Sequence, residues 1–279
     1  MAIAAQLRDW RFWGPAARDR AGEGAFFGVI ALLFAISAVL TVVCCTSMSA
    51  MGGMPMPGGW TMSMAWMRMP GQTWLGAAAS FAGMWVVMMV AMMLPSLTPA
   101  LGRFREAVGR AGGTRPGRLT ALVGVGYFFV WTVIGMAVFP LGVTLAAVEM
   151  RHPAVSRALP IAAGVAVLIA GVLQLTGWKA HHLGCCREAP GRGRSLRADA
   201  ATAWRYGLRL GVHCSSGCAG LTAVLLAVGV MDVRAMAVLT AAITAERVAP
   251  NGERVARGIG AVVVGAGLFL MARAAVATL

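Results

Sequence analysis

Residues 26–45 read FFGVIALLFAISAVLTVVCC, an apolar run without a single charge. Helix of that length rises about 30 Å, the thickness of a bilayer's hydrocarbon core. The run is long for the apolar part of a signal peptide, and the small-residue stretch behind it is rich in methionine. The reading is an uncleaved first membrane helix, with a cleaved signal as the alternative.

The same pattern recurs at residues 74–94, 119–148, 159–178, 208–231, 235–245 and 259–279. The third block contains Pro140, where a helix can tilt, kink or end, and the sixth is a short crossing or a half-helix between Arg234 and Glu246. Apolar residues make up 59% of the 279-residue chain and charged residues 12%. Soluble domains carry about 45–50% and about 25%. Only helices or closed barrels satisfy their backbone within lipid, and blocks without strict alternation form helices. The expected fold is all-α: a polytopic transmembrane bundle of seven helices, or six if the short block does not cross. Residues 1–25 read as a polar tail and 26–279 as one membrane domain.

Basic residues alternate between the connecting segments. Arg8, Arg11, Arg18 and Arg20 precede the first block, and Arg68 alone follows it. Arg103, Arg105, Arg110, Arg115 and Arg118 follow the second; Arg151 and Arg157 follow the third. The heavy segment after the fourth, the single Arg234 and then Arg247, Arg254 and Arg257 continue the alternation. The positive-inside rule then puts the N-terminus in the cytoplasm and the C-terminus outside. The bilayer also accounts for the net charge of +14. The arginines mark topology and meet lipid headgroups, and with almost no aromatic interleaving they do not read as a nucleic-acid surface.

Topology sorts the sulfur residues. Segment 46–73 falls outside and carries Met48, Met51, Met54, Met56, Met62, Met64, Met67 and Met69, with Gly and Pro between them. Thioethers are neutral, soft donors suited to Cu(I), and an adaptable loop could wrap such an ion. Apolar filler near the membrane interface is the plainer alternative.

A second group gathers at the cytoplasmic face. In the second block Met84, Met88 and Met92 form one helical row, with Met89 and Met93 in the next. WKAHHLGCC after the fourth block pairs His181 with Cys185 and His182 with Cys186 at four-residue spacing. GVHCSSGC in the fifth puts Cys214 and Cys218 on one face beside His213, and Glu246 returns to the same side. Imidazole, thiol and thioether suit Cu(I), with Zn(II) possible for the His and Cys set. A reducing cytoplasm keeps these cysteines as thiols. Cys44 and Cys45 lie near the outer face. Gly207, Gly211 and Ser215 offer a small-residue packing seam.

The Met-rich segment, WVVMMVAMMLP, QLTGWK before a Cys-rich turn with CREAP, and HCSSGC with GVMD and a later ER together resemble a bacterial family of metal-binding integral membrane proteins. The resemblance spans residues 44–250 and implies a metal-handling protein of the bacterial cytoplasmic (inner) membrane. Two positions depart from the family pattern. His182 and Gly217 stand where the family usually has cysteine, so the implied ligand set has His182 in place of one sulfur.

The leading expectation is Cu(I) binding, delivery or transport. The outer methionines capture the ion, the inner His/Cys/Met site receives it, and a copper-requiring membrane enzyme or a copper chaperone is the partner. No nucleotide-binding loop is present to drive pumping. The alternatives are a membrane thiol–disulfide oxidoreductase, against which the C-x-x-x-C spacing counts, and a structural or assembly subunit.

Overall fold

The computed structural model describes residues 20–50, 52–57, 60–69, 71–113, 115–187 and 197–277. Most of the tail assigned to residues 1–25 lies outside them. The described chain forms eight α-helices: α1 (Arg20–Ala50), α2 (Trp74–Arg110), α3 (Pro116–Arg151), α4 (Pro153–Gln174), α5 (Gly177–Arg187), α6 (Ala200–Val228), α7 (Val233–Val248) and α8 (Gly252–Ala277). Helices α1, α2, α3, α4, α6 and α8 are each long and apolar enough to cross a membrane. The protein is an all-helical, multi-pass membrane protein. At 16 residues α7 is not among those six. Its length is about 24 Å, short of the hydrocarbon core.

Helix ends follow local chemistry. Thr73 caps α2 by accepting from Gly76 N, and Asp199 caps α6 by accepting from Thr202 N. Asp232 caps α7 with bonds from Arg234 N and Ala235 N. Pro116 and Pro153 occupy first-turn positions, where a missing N–H is harmless. Helix α2 runs well past the apolar block 74–94, with Pro95 and Pro99 in its interior. Beside them the Ser96 and Thr98 hydroxyls donate to the carbonyls of Met93 and Leu94, the kind of local adjustment that lets membrane helices keep proline.

Small residues set the closest packing. Gly207 lies on the Val123 backbone and Gly211 on Tyr127 and Val130, so α6 meets α3 almost backbone to backbone. Helices α4 and α8 do the same: a Cβ on Gly171 would come within 2.6 Å of Val264 N, and one on Gly267 within 2.7 Å of Leu168 N. Van der Waals contact of this kind replaces the hydrophobic drive that lipid removes.

The expected adaptable loop is in part an ordered hairpin. Met48 sits in the last turn of α1, and Met51 lies outside the described residues. Strands β1 (Met54–Met56) and β2 (Trp60–Met62) pair antiparallel, with Met54 opposite Met62 and Met56 opposite Trp60. The two-residue period turns Met54, Met56, Trp60 and Met62 inward and leaves Pro55 and Thr61 exposed. Met56 and Met62 are buried against Ala146 of α3. Trp60 Nε1 donates to Ser156 O at 3.0 Å, and Ser156 Oγ donates to Pro57 O at 2.9 Å. Met64 and Met67 are half-buried, and Met69 is exposed.

The hairpin marks one end of the bundle. There Cys45 Sγ approaches Met231 Sδ at 3.9 Å, beyond the end of α6. The start of α6, the end of α7 and all of α5 lie at the opposite end.

Candidate metal centre

Cys214 and Cys218 occupy successive turns of α6 on the face turned into the protein, 0% and 1% exposed. Gly211 one turn earlier lets α3 close over them and brings the Tyr127 hydroxyl 2.6 Å from Cys214 Sγ. From α5 comes Cys186, also buried, and from α2 come Met88, Met89, Met92 and Met93, at most 3% exposed. All seven sulfur residues belong to one continuous buried cluster. All six cysteines are free thiols.

Cations surround the thiols. Arg247, at the end of α7, places Nη2 3.4 Å from Cys218 Sγ and 3.5 Å from Cys214 O. Lys179 of α5 donates to Gly217 O at 2.7 Å, and Arg103 of α2 donates to Cys186 O at 3.3 Å. Arg187 bonds the carbonyls of Glu246 and Ala249 at 2.6 Å each, tying the end of α5 to the end of α7. Burial pushes the Cys186 thiol above its ordinary value, against the opposing pull of Arg247 and Lys179.

Glu246 is 1% exposed, and both its oxygens are engaged. Lys179 Nζ lies 2.7 Å from Oε2, and Gln174 Nε2 donates to Oε1 at 2.6 Å. The carboxylate compensates the buried lysine, while its neighbour Arg247 reaches the thiols.

The histidines separate. His182 and His213 bring their Nδ1 atoms to 3.4 Å, with the Trp178 ring edge-on to His182 at 4.6 Å. Burial, then the neighbouring His213 and His181, lower the His182 pKa, leaving a neutral imidazole able to act as a ligand at neutral pH. A narrow crevice runs between His182 and Cys186, lined also by Lys179, Leu183, Gly217 and Arg247. His181 and Cys185 instead pair with each other at 3.7 Å on the exposed side of α5. The two departures from the resembled motif face each other, since a Cβ on Gly217 would lie 3.4 Å from that of His182.

Among the described residues no group of three or more His, Cys, Asp or Glu side chains could hold a metal ion. Closed zinc sites need four such donors in tetrahedral array, so the zinc expectation has no support here. Thioethers and a thiol pair fall outside that donor count and suit a soft ion of low coordination number. Tyr127 carried no sequence signal that singled it out, whereas Gln174, Lys179 and Arg247 fall within the quoted motifs without a role assigned by them. The spacing of Lys179 and Arg247 relative to the cysteines was visible, but their division of labour was not.

The fold defines a polytopic helical membrane protein with buried thiols and thioethers gathered in one cluster. Residues 82–270 match the family model described as PpoB2, copper chaperone, and the chain belongs to that family. No curated protein and no solved structure matched it. The matched region holds the α2 methionines and the whole thiol cluster, and it excludes the hairpin.

Proposed function

We propose that this protein binds Cu(I) in the bacterial cytoplasmic membrane and hands it to a copper-requiring partner, either a membrane enzyme or a soluble chaperone. The burial of Cys214 and Cys218 in one cluster with Cys186 and the α2 methionines carries the reading. Neutral thioethers bind Cu(I) weakly and thiolates bind it strongly, so Met88, Met89, Met92 and Met93 form a relay that feeds or drains the thiol pair. His182, with His213 against it, stands at the crevice through which the ion enters or leaves. On the far side Met54, Met64, Met67 and Met69 are the capture residues, while Met56 and Met62 seat the hairpin.

The orientation keeps the N-terminus cytoplasmic, with α7 as a short seventh crossing. In support, Met231 just before α7 touches Cys45 at the hairpin end, and Glu246–Arg247 reach the thiol end. Burial of both α6 thiols weighs against disulfide exchange, because an attacking thiolate must be reached. The test is Cu(I) loading of the detergent-purified protein, with stoichiometry read by elemental analysis against a Cu(I)-specific chromogenic chelator. Cys214→Ser/Cys218→Ser is expected to lose the tightly held copper. Unchanged stoichiometry and chelator resistance in that variant would refute the assignment.

A further inference from the structure

The thiol pair has a cation against it that no carboxylate among the described residues pairs with. Among the described residues the ion pairs are Lys179 with Glu246 and Arg257 with Glu253. Lys179 is neutralised, and Arg247 is not. Its guanidinium instead meets Cys218 Sγ and Cys214 O, and Cys214 Sγ also meets the neutral Tyr127 hydroxyl. A positive charge set against low-dielectric surroundings needs a partner anion, and the groups beside Arg247 able to furnish one are the thiols.

We infer that Arg247 is the charge-selecting residue of the thiol site and tunes it to a monovalent soft cation. The inference rests on Cys214 and Cys218 being the copper donors. Charge counting carries it. Loading follows Cu⁺ + 2 RSH → [Cu(SR)₂]⁻ + 2 H⁺, with the two protons leaving to water through the crevice beside His182. The bis-thiolate ion has charge −1, and Arg247 makes the assembly neutral. Zn²⁺ on the same two thiolates gives a neutral unit, and Arg247 then leaves an uncompensated positive charge. Ag(I) has the charge and softness of Cu(I) and is accepted on the same terms. Thus the site discriminates by charge as well as by softness, without a closed coordination shell.

The decisive measurement is competitive loading of the full-length protein with Ag(I) or Cu(I) against Zn(II), by elemental analysis under reducing conditions. Arg247→Gln is expected to shift the monovalent-to-divalent preference toward zinc on the order of a hundredfold, the scale of one unscreened charge near contact distance. Arg247→Lys keeps the charge and is expected to keep the preference within about tenfold. Arg247→Gln with wild-type preference, or Arg247→Lys shifted as far as Arg247→Gln, overturns the inference and leaves the copper assignment standing. Loss of all binding in Cys214→Ser/Cys218→Ser marks the signal as that of the thiol pair. If that variant binds like wild type, the copper assignment itself fails, and this inference with it. Should Arg247→Gln not insert, the wild type decides: stoichiometric Zn(II) at Cys214 and Cys218, held as tightly as Ag(I), overturns it.

Discussion

Replacing Lys179 by Met removes one partner of the most deeply buried ion pair in the structure. Its side chains are 4% and 1% exposed and 2.7 Å apart. At an effective dielectric near 20 the gross attraction over that distance is about 6 kcal/mol. Desolvation offsets most of it, so the pair's net worth is small, but removing one partner leaves an uncompensated charge and costs about 3–5 kcal/mol. Lys179→Met also strips the bond to Gly217 O, one residue before Cys218. Glu246→Gln is milder, because the lysine keeps that carbonyl. Lys179→Met/Glu246→Gln removes both charges and is expected to recover at least half of the Lys179→Met loss. The assay is unfolding in detergent followed with a thiol-reactive fluorophore, which lights up as Cys186, Cys214 and Cys218 become accessible. A coupling below about 0.5 kcal/mol across this cycle means additive, independent residues and refutes a desolvated pair.

Four further outcomes are expected. Gly171→Leu should separate α4 from α8, because a Cβ there meets the backbone of Val264; its folded yield by size-exclusion chromatography should collapse, whereas Gly265→Leu, with open space around it, should not. Trp85→Ala removes a fully buried ring whose Nε1 donates to Trp131 O at 2.8 Å, and should cost about 3–5 kcal/mol in the same fluorophore assay. In intact cells a membrane-impermeant maleimide should label Cys44 from outside and Cys185 only after permeabilisation, leaving buried Cys214 and Cys218 unlabelled; labelling of Cys185 from outside would invert the proposed orientation. Gly217→Cys should fold, since its Cβ meets His182 at an ordinary 3.4 Å, and should bind copper more resistant to chelator.

Much of this fold was legible because lipid simplifies the code. Residues 26–45 announce a helix without reference to any other part of the chain, since a backbone in hydrocarbon has few other options. The four-residue rows on α2 and α6 were legible for the same reason, as helical periodicity makes Met88 and Met92, or Cys214 and Cys218, neighbours before any tertiary contact forms. Boundaries were less legible. Pro95 reads as a stop in a soluble helix, yet α2 continues to Arg110 because packing holds it. The Met-rich segment misled by composition. Its Gly and Pro residues suggested an unstructured wrap, while the alternation of Met54, Met56, Trp60 and Met62 built a hairpin whose inward face is core. In the thiol site, adjacency in sequence concealed opposite roles. Glu246 and Arg247 point to different partners, one to a lysine and one to sulfur, and only the approach of α5 and α6 to the end of α7 decides which.

The same packing bears on how the two sulfur zones relate. Following α2 inward from the hairpin, the first turns carry Phe81, Met84 and Trp85, and then Met88, Met89, Met92 and Met93. Phe81 packs on Trp66 at 5.4 Å, on Trp85 at 5.8 Å and on Phe139 at 5.1 Å, setting a layer of packed rings between the hairpin and Met88. Trp85 lies flat against Gly135 of α3, where no side chain could stand, and Trp131 O holds its indole N–H. A close-packed aromatic layer offers an ion few donor atoms, and an ion crossing it bears a large desolvation cost. On the proposed function, the hairpin and the thiol cluster are two stations with these rings between them. A chaperone that loads and unloads at one face needs no passage through that layer, whereas a conduit does, and so the arrangement favours delivery over conduction.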